Sequence, residues 1–465
     1  MAKTKVAFTE GSLFDKIFFF TIPLMLSGIL QLLYNMADRV VIGRFSGDPN
    51  ALAAVGCTGS INNLIINFLI GVSVGCSAII AQYYGAKKKH ELSRTVHTSI
   101  TFSLIGGILI SIIAFIVVRK LLELIDTKPD IIDQAELYIK LIILGVPGSA
   151  VFNFGATILR AVGDSKTPLI ILATTGLINV ILNIVFVVFF KMSVAGVALA
   201  TIISQYMSAV AVILVLYKTT DDYQFRFKKM CIDPSIFKRI ISIGFPSGLQ
   251  STLFAISNVL CQGSINSFPT EVVSGNTIAS TVDGLTYTAM HSFQQSAITF
   301  SGQNYGAGKY KRVQKSLFYT ILQVSIVGLV VSWIEILFAE PLAYLFVDKT
   351  AANAPQIVAA AVEISRLILC VYFLCGIMEV LSGYLRGLGY SFLTMICSLF
   401  GACVCRILWF ELIFPIPAFN SIFGLYISYP ITWTLTCILL ALICIKPYKA
   451  MKRAEKENAI RSSEA

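Results

Sequence analysis

Charge is scarce in this sequence. Of 465 residues only 13% are Asp, Glu, Lys or Arg, against about 25% in an ordinary soluble domain. A water-facing surface cannot be covered with so few. Histidine is rarer still, at three. No H-E-x-x-H pair and no G-x-x-x-x-G-K-[ST] loop occurs, so the common zinc-hydrolase signature is excluded and ATP lacks its usual phosphate cradle. The 11 cysteines are odd in number. Most lie within apolar runs, as Cys76, Cys261, Cys397 and Cys437 do, and read as small buried hydrophobes. Cys403 and Cys405 are two apart and face different ways on a helix, so they do not grip a metal together. No cofactor is expected, and no catalytic constellation of an enzyme is visible.

Apolar residues fill the space left by charge. They make up 56% of the chain, and the mean hydropathy is +0.79. Runs long enough to cross a bilayer fall near 15–43, 52–82, 96–118, 136–160, 168–190, 194–217, 238–266, 273–302, 316–338, 356–386, 391–413 and 420–445. The first opens like a signal peptide but is too long for one, and eleven more follow. The expectation is an all-α polytopic membrane protein with twelve transmembrane helices.

Basic residues set the direction. The amino terminus, the even-numbered loops and the carboxyl tail together hold 26 Lys and Arg, counting Arg386 as a loop residue, and the opposite side holds six. This bias predicts cytoplasmic termini. The net charge of +11 is then a consequence of topology, and no nucleic-acid partner is expected.

The chain also repeats itself. "QYYGAKK" at 82–88 returns as "QNYGAGK" at 303–309, and "LRAVGDS" at 159–165 as "LRGLGYS" at 385–391. Pro23 has a counterpart in Pro246. Six spans per half is an even number, so the halves form parallel repeats, an architecture of alternating-access carriers. We expect an amino-terminal lobe at 1–217, a basic cytoplasmic linker at 218–237, a carboxyl-terminal lobe at 238–445 and a cytoplasmic tail at 446–465.

These features carry a family resemblance. "ADRVVIGRF" and "ALAAVG" around the first span, "QYYGA" closing the second, "LRAVG" closing the fourth, and "LINVILNIVF" with "AGVALATIISQ" in spans five and six resemble the multidrug and toxic compound extrusion (MATE) family. The resemblance runs from about residue 12 to 445. It implies two six-helix lobes around a V-shaped central cavity, and export of cationic, amphiphilic organic compounds in exchange for H+ or Na+. A monomer in a bacterial-type cytoplasmic membrane is expected. The competing transporter reading is a flippase for a lipid-linked saccharide or another amphiphile.

Charges inside spans are costly, about 2.5–3.5 kcal/mol near the bilayer centre, and so mark candidate sites. Asp38 follows the uncharged run 17–37 and stands where the family has an acidic residue in its first helix, which implies cation coupling. Counting about 1.5 Å per residue puts it near the outer edge, so an interfacial position is the competing reading. Asn179 and Asn183 are four apart and share a helix face, with Thr201 as the polar residue of the sixth span. Many members of the family have Asp where Asn183 stands. In the branch using Na+, a Glu and an Asp occur where this chain has Phe254 and Cys375. In the second half, Asp283, Tyr287 and His291 recur at every fourth residue of span eight, followed by Gln294 and Gln295, and Glu379 lies in span ten. Asp283, Tyr287, His291, Gln295 and Glu379, together with Tyr34, are the candidate cavity-lining residues for organic cations, with a packed polar seam as the alternative.

Overall fold

A computed structural model describes residues 8–46, 48, 50–125, 127–349 and 352–464. Lys3 and Lys5, counted above toward the cytoplasmic side, lie outside them, as does the side chain of Arg461. The described residues contain helices and no strand. In chain order the long helices are α1 (Leu13–Phe45), α2 (Ala51–Gly85), α3 (Lys89–Leu124), α4 (Pro129–Ala161), α5 (Lys166–Phe189) and α6 (Ser193–Lys218). The second half has α7 (Pro234–Ile265), α8 (Thr270–Gly306), α9 (Tyr310–Leu337), α10 (Ala354–Leu369 and Phe373–Gly387, bent by 47°), α11 (Ser391–Ile413) and α12 (Ile422–Glu457).

Every expected span has its helix. Ten are long and apolar enough to cross a membrane by themselves, and the bent pair of α10 adds an eleventh. The twelfth is α8, whose 37 residues reach about 55 Å but whose polar stripe lowers its hydropathy. Such a stripe is tolerated only where it faces protein or a water-filled space. Lipid-facing positions are the reverse: Ile116, Leu124, Phe189 and Leu412 are exposed, as a hydrocarbon solvent permits.

The repeated sequence motifs are helix endings. In "QYYGAKK" Lys87 adopts φ 55° and in "QNYGAGK" Gly308 adopts φ 68°. The amides of Lys88 and Lys309 then reach back five residues to the carbonyls of Tyr83 and Asn304, at 3.0 and 2.9 Å. "LRAVGDS" and "LRGLGYS" close the same way through Gly163 and Gly389, φ 101° and 93°, with Asp164 and Tyr390 bonded to the carbonyls of Leu159 and Leu385. A left-handed residue after the last turn satisfies the orphan carbonyls. The repeat is therefore one of geometry as well as letters.

By packing, the chain forms two compact units. The first comprises residues 22–248 and the second residues 8–21 with 249–464. Each unit is thus completed by the opening segment of the other half's first helix. In the first unit, "GVSVG" of α2 (Gly71 and Gly75) meets "GFPSG" of α7 (Gly244 and Gly248). A Cβ on Gly75 would stand 2.2 Å from the Ile240 carbonyl oxygen, and one on Gly244 2.3 Å from that of Val72. Without hydrophobic drive between helices in lipid, such backbone approach supplies dispersion contact. In the second unit, Phe8 stacks on Phe300 at 4.1 Å, and the Thr21 and Ser296 hydroxyls lie 2.7 Å apart.

The linker is tied to the first unit. His97 of α3 accepts from the Arg226 amide at 3.0 Å and stacks on Phe225, while Arg94 pairs with Asp233. His97 is accounted for by this structural role.

Candidate functional site

In the first unit, Asp38 of α1, Asn179 and Asn183 of α5, and Thr201 of α6 form one hydrogen-bonded chain. Asn183 Nδ2 donates to Asp38 Oδ1 at 2.5 Å and to Asn179 Oδ1 at 3.3 Å. Asn179 Nδ2 donates to Thr201 Oγ1 at 3.5 Å, whose own proton goes to the Val197 carbonyl at 2.9 Å. Asn183 is fully buried and Asn179 nearly so. The i, i+4 spacing puts both amides on one face. Just beyond them Val185–Phe189 widens into a π turn, a deviation frequent at functional positions.

Asn183 gives its amide protons to two acceptors, and its Oδ1, which could accept, is buried without a donor. That oxygen, the Asp38 carboxylate and the Thr201 hydroxyl make an oxygen-rich group within helices that are otherwise apolar. Oxygen ligands of this kind suit a proton on the carboxyl or a small hard cation. Arg39 is exposed and has no part in the chain. Tyr34, one turn before Asp38, donates its hydroxyl to the Ala173 carbonyl at 3.0 Å. Its ring occupies the space where a Cβ on Gly176 would sit, 1.9 Å away. Tyr34 clamps α1 against α5, and only glycine fits beneath it.

The second unit holds the remaining candidates in two places. Glu379 of α10 is buried and accepts from Gln294 of α8. Arg386, one further stretch along α10, donates to Gln250 at 3.0 Å. Arg386, counted with a loop in the charge tally although it closes the span at 356–386, is 5% exposed and lies in the last turn of α10, which ends at Gly387. The polar stripe of α8 divides. Asp283 is buried with Oδ1 unpartnered, whereas Tyr287 is 43% exposed and stacks on His291 with centroids 6.1 Å apart. His291 and Gln295 are half-buried.

One acid escaped the sequence reading. Glu335, in the last turn of α9, is buried and accepts from Thr286 at 2.8 Å, one turn along α8 from Asp283. Its other oxygen has no partner. A single carboxyl in the apolar run of span nine was the available signal.

Two six-helix repeats, built to span a membrane and holding charged side chains in their interiors, define a transporter of small solutes. A family model described as MatE matches residues 23–185 and 246–409, once per half, and the chain belongs to that family, the multidrug and toxic compound extrusion transporters. It is 24% identical over 443 residues to YoeA, a probable multidrug resistance protein of Bacillus subtilis strain 168, with 93% of each chain covered. It is 27% identical over 410 residues to YpnP, a probable multidrug resistance protein of the same organism, covering 86% of this chain and 88% of that one. Its fold is similar to a solved multidrug resistance MATE family transporter described as outward-facing, with a TM-score of 0.89, 23% identity, and 97% of this chain and 100% of that one covered.

Proposed function

We propose that this chain is a secondary antiporter exporting cationic, amphiphilic organic compounds in exchange for H+ or Na+ by alternating access. The observation that carries the reading is the Asp38–Asn183–Asn179–Thr201 chain, a carboxyl and amide oxygens held inside membrane-spanning helices. Asn183 does not titrate, so Asp38 is the cluster's proton-exchanging group. One proton is worth about 1.4 kcal/mol per unit of pH gradient. A charge crossing the field adds about 2.3 kcal/mol per 100 mV.

The carboxyls of Asp283, Glu335 and Glu379 supply attraction for an organic cation, and Tyr287 with His291 offers stacked ring faces for its flat part. Tyr34 and Gln295 complete the proposed substrate-contacting set. Relatives described as probable multidrug resistance proteins support drug-like substrates. The proposed setting is a cytoplasmic membrane of bacterial type. Residues 1–217 and 238–445 form the transporting halves of a monomer, and the 218–237 linker and both termini face the cytoplasm.

The deciding test is efflux of a fluorescent dye cation from everted vesicles under separately imposed pH and Na+ gradients. Transport driven by one gradient and abolished when that gradient is dissipated is expected. Dye movement indifferent to both gradients would refute antiport.

A further inference from the structure

Three buried carboxyls of the second unit fit a cationic cargo, but Arg406 does not. It lies in α11 and is only 6% exposed. Its Nη2 donates to Thr432 Oγ1 at 3.3 Å, and its guanidinium sits 4.1 Å from the Tyr429 ring centroid. Its Nε is buried with no acceptor. Among the described residues no carboxylate lies within ion-pair distance of it. An isolated buried charge is expensive, and the cost is normally met by a partner.

Its surroundings are arranged for a ligand. π turns at Leu399–Val404 and Trp409–Ile413 flank Arg406, so α11 is widened on both sides of it. In the first unit Asn183 precedes the π turn of α5 in the same manner. The α6 run "SVAGVALATIIS" (193–204) aligns with the α12 run "SIFGLYISYPIT" (421–432), setting Thr201 against Tyr429 and Ser204 against Thr432. Both repeat counterparts, Tyr429 and Thr432, are contacts of Arg406. A second polar group stands nearby: Ser257 Oγ of α7 is buried against the thiols of Cys261 and Cys403, two of the three, with Cys375, within reach of the Arg406 charge.

We propose that Arg406, with the Ser257 hydroxyl beside it, binds the carboxylate of an amphoteric substrate, one carrying an acidic group besides its cationic part. This rests on the export of organic cations proposed above and narrows its substrate class. A guanidinium offers five donors in a planar fork that matches a carboxylate. Only one of these is engaged by Thr432, and stacking on Tyr429 holds the plane fixed. Ser257 presents a further donor.

The test uses full-length protein in lipid nanodiscs and two rhodamine dyes that differ only in a free carboxylate or its ethyl ester, with binding read by fluorescence polarisation. The unsubstituted protein is expected to bind the acid form more tightly than the ester. Arg406→Gln should weaken the acid form about tenfold or more, the scale of a lost charge-assisted hydrogen bond, and leave the ester within twofold. Arg406→Lys should fall between. Ser257→Ala, which leaves the buried charge in place, should weaken the acid form several-fold and thus tests the site even if Arg406→Gln does not fold. An acid-to-ester ratio unchanged in Ser257→Ala and Arg406→Gln overturns the proposal. So does a ratio that stays fixed while replacing gluconate by chloride shifts dye binding only in proteins that keep Arg406, since the site then holds an inorganic anion. Ester that fails to bind the unsubstituted protein counts against organic-cation export instead. Acid dye that alone fails counts against the amphoteric class.

Discussion

Asn183 donates its amide to the carboxylate of Asp38 at 2.5 Å, joining α5 to α1 across 145 residues of sequence. At this second position, where the resemblance implies an acid, Asn183 holds Asp38 in place but does not titrate. Under the antiport proposed above, coupling in the first unit rests on one carboxyl. Asp38→Asn is expected to abolish gradient-driven efflux while a dye cation still binds, because the neutral amide can keep the contact to Asn183 but cannot exchange a proton. Arg39, adjacent in sequence but about 100° around the helix and exposed, should tolerate Gln with much smaller loss. Uphill efflux at the normal rate by Asp38→Asn, at matched expression, would return Asp38 to an interfacial role.

The α2–α7 crossing predicts a stability effect remote from any substrate. Gly75→Ala places a methyl group 2.2 Å from the Ile240 carbonyl oxygen, a contact the backbone cannot relieve without separating the helices. A cost of about 1–3 kcal/mol is expected for such overpacking, seen as a lower unfolding midpoint in detergent. Gly56→Ala on the same helix meets nothing within 4 Å and serves as the control. Equal midpoints for the two variants would show that the crossing yields.

For the second unit, binding of a dye cation should weaken in Glu379→Gln and in Asp283→Asn. Each removes a negative charge from a low-dielectric interior while keeping the side chain's size. Glu335→Gln should act in the same direction, since its partner Thr286 lies on the same helix as Asp283. Fluorescence titration of purified protein checks this. Affinity unchanged in all three would assign the acids to packing.

Orientation can be tested at a native cysteine. Cys231 of the linker is exposed, so a membrane-impermeant maleimide should label it in everted vesicles and spare it in intact cells. The inverse pattern would reverse the cytoplasmic assignment drawn from the basic residues. Cys231→Ser identifies the labelled site by loss of signal.

The sequence by itself determined the class, the spans and the duplication. Length and apolarity suffice for that, because a helix in hydrocarbon must satisfy its own backbone and can be recognised one segment at a time. It also named the residues that meet around Asp38, since charges and amides within apolar runs stand out individually. Tertiary structure alone decided what the charges inside spans would meet: nothing in the sequence tells that Arg386 reaches Gln250, Arg406 stacks on Tyr429 or Glu335 accepts from Thr286. It also decided that residues 8–21 pack with the second unit while α7 begins in the first. Both outcomes depend on which helix faces meet and how closely the backbones approach. Local composition does not encode either, because Gly71, Gly75, Gly244 and Gly248 acquire their meaning only when the two helices carrying them come together.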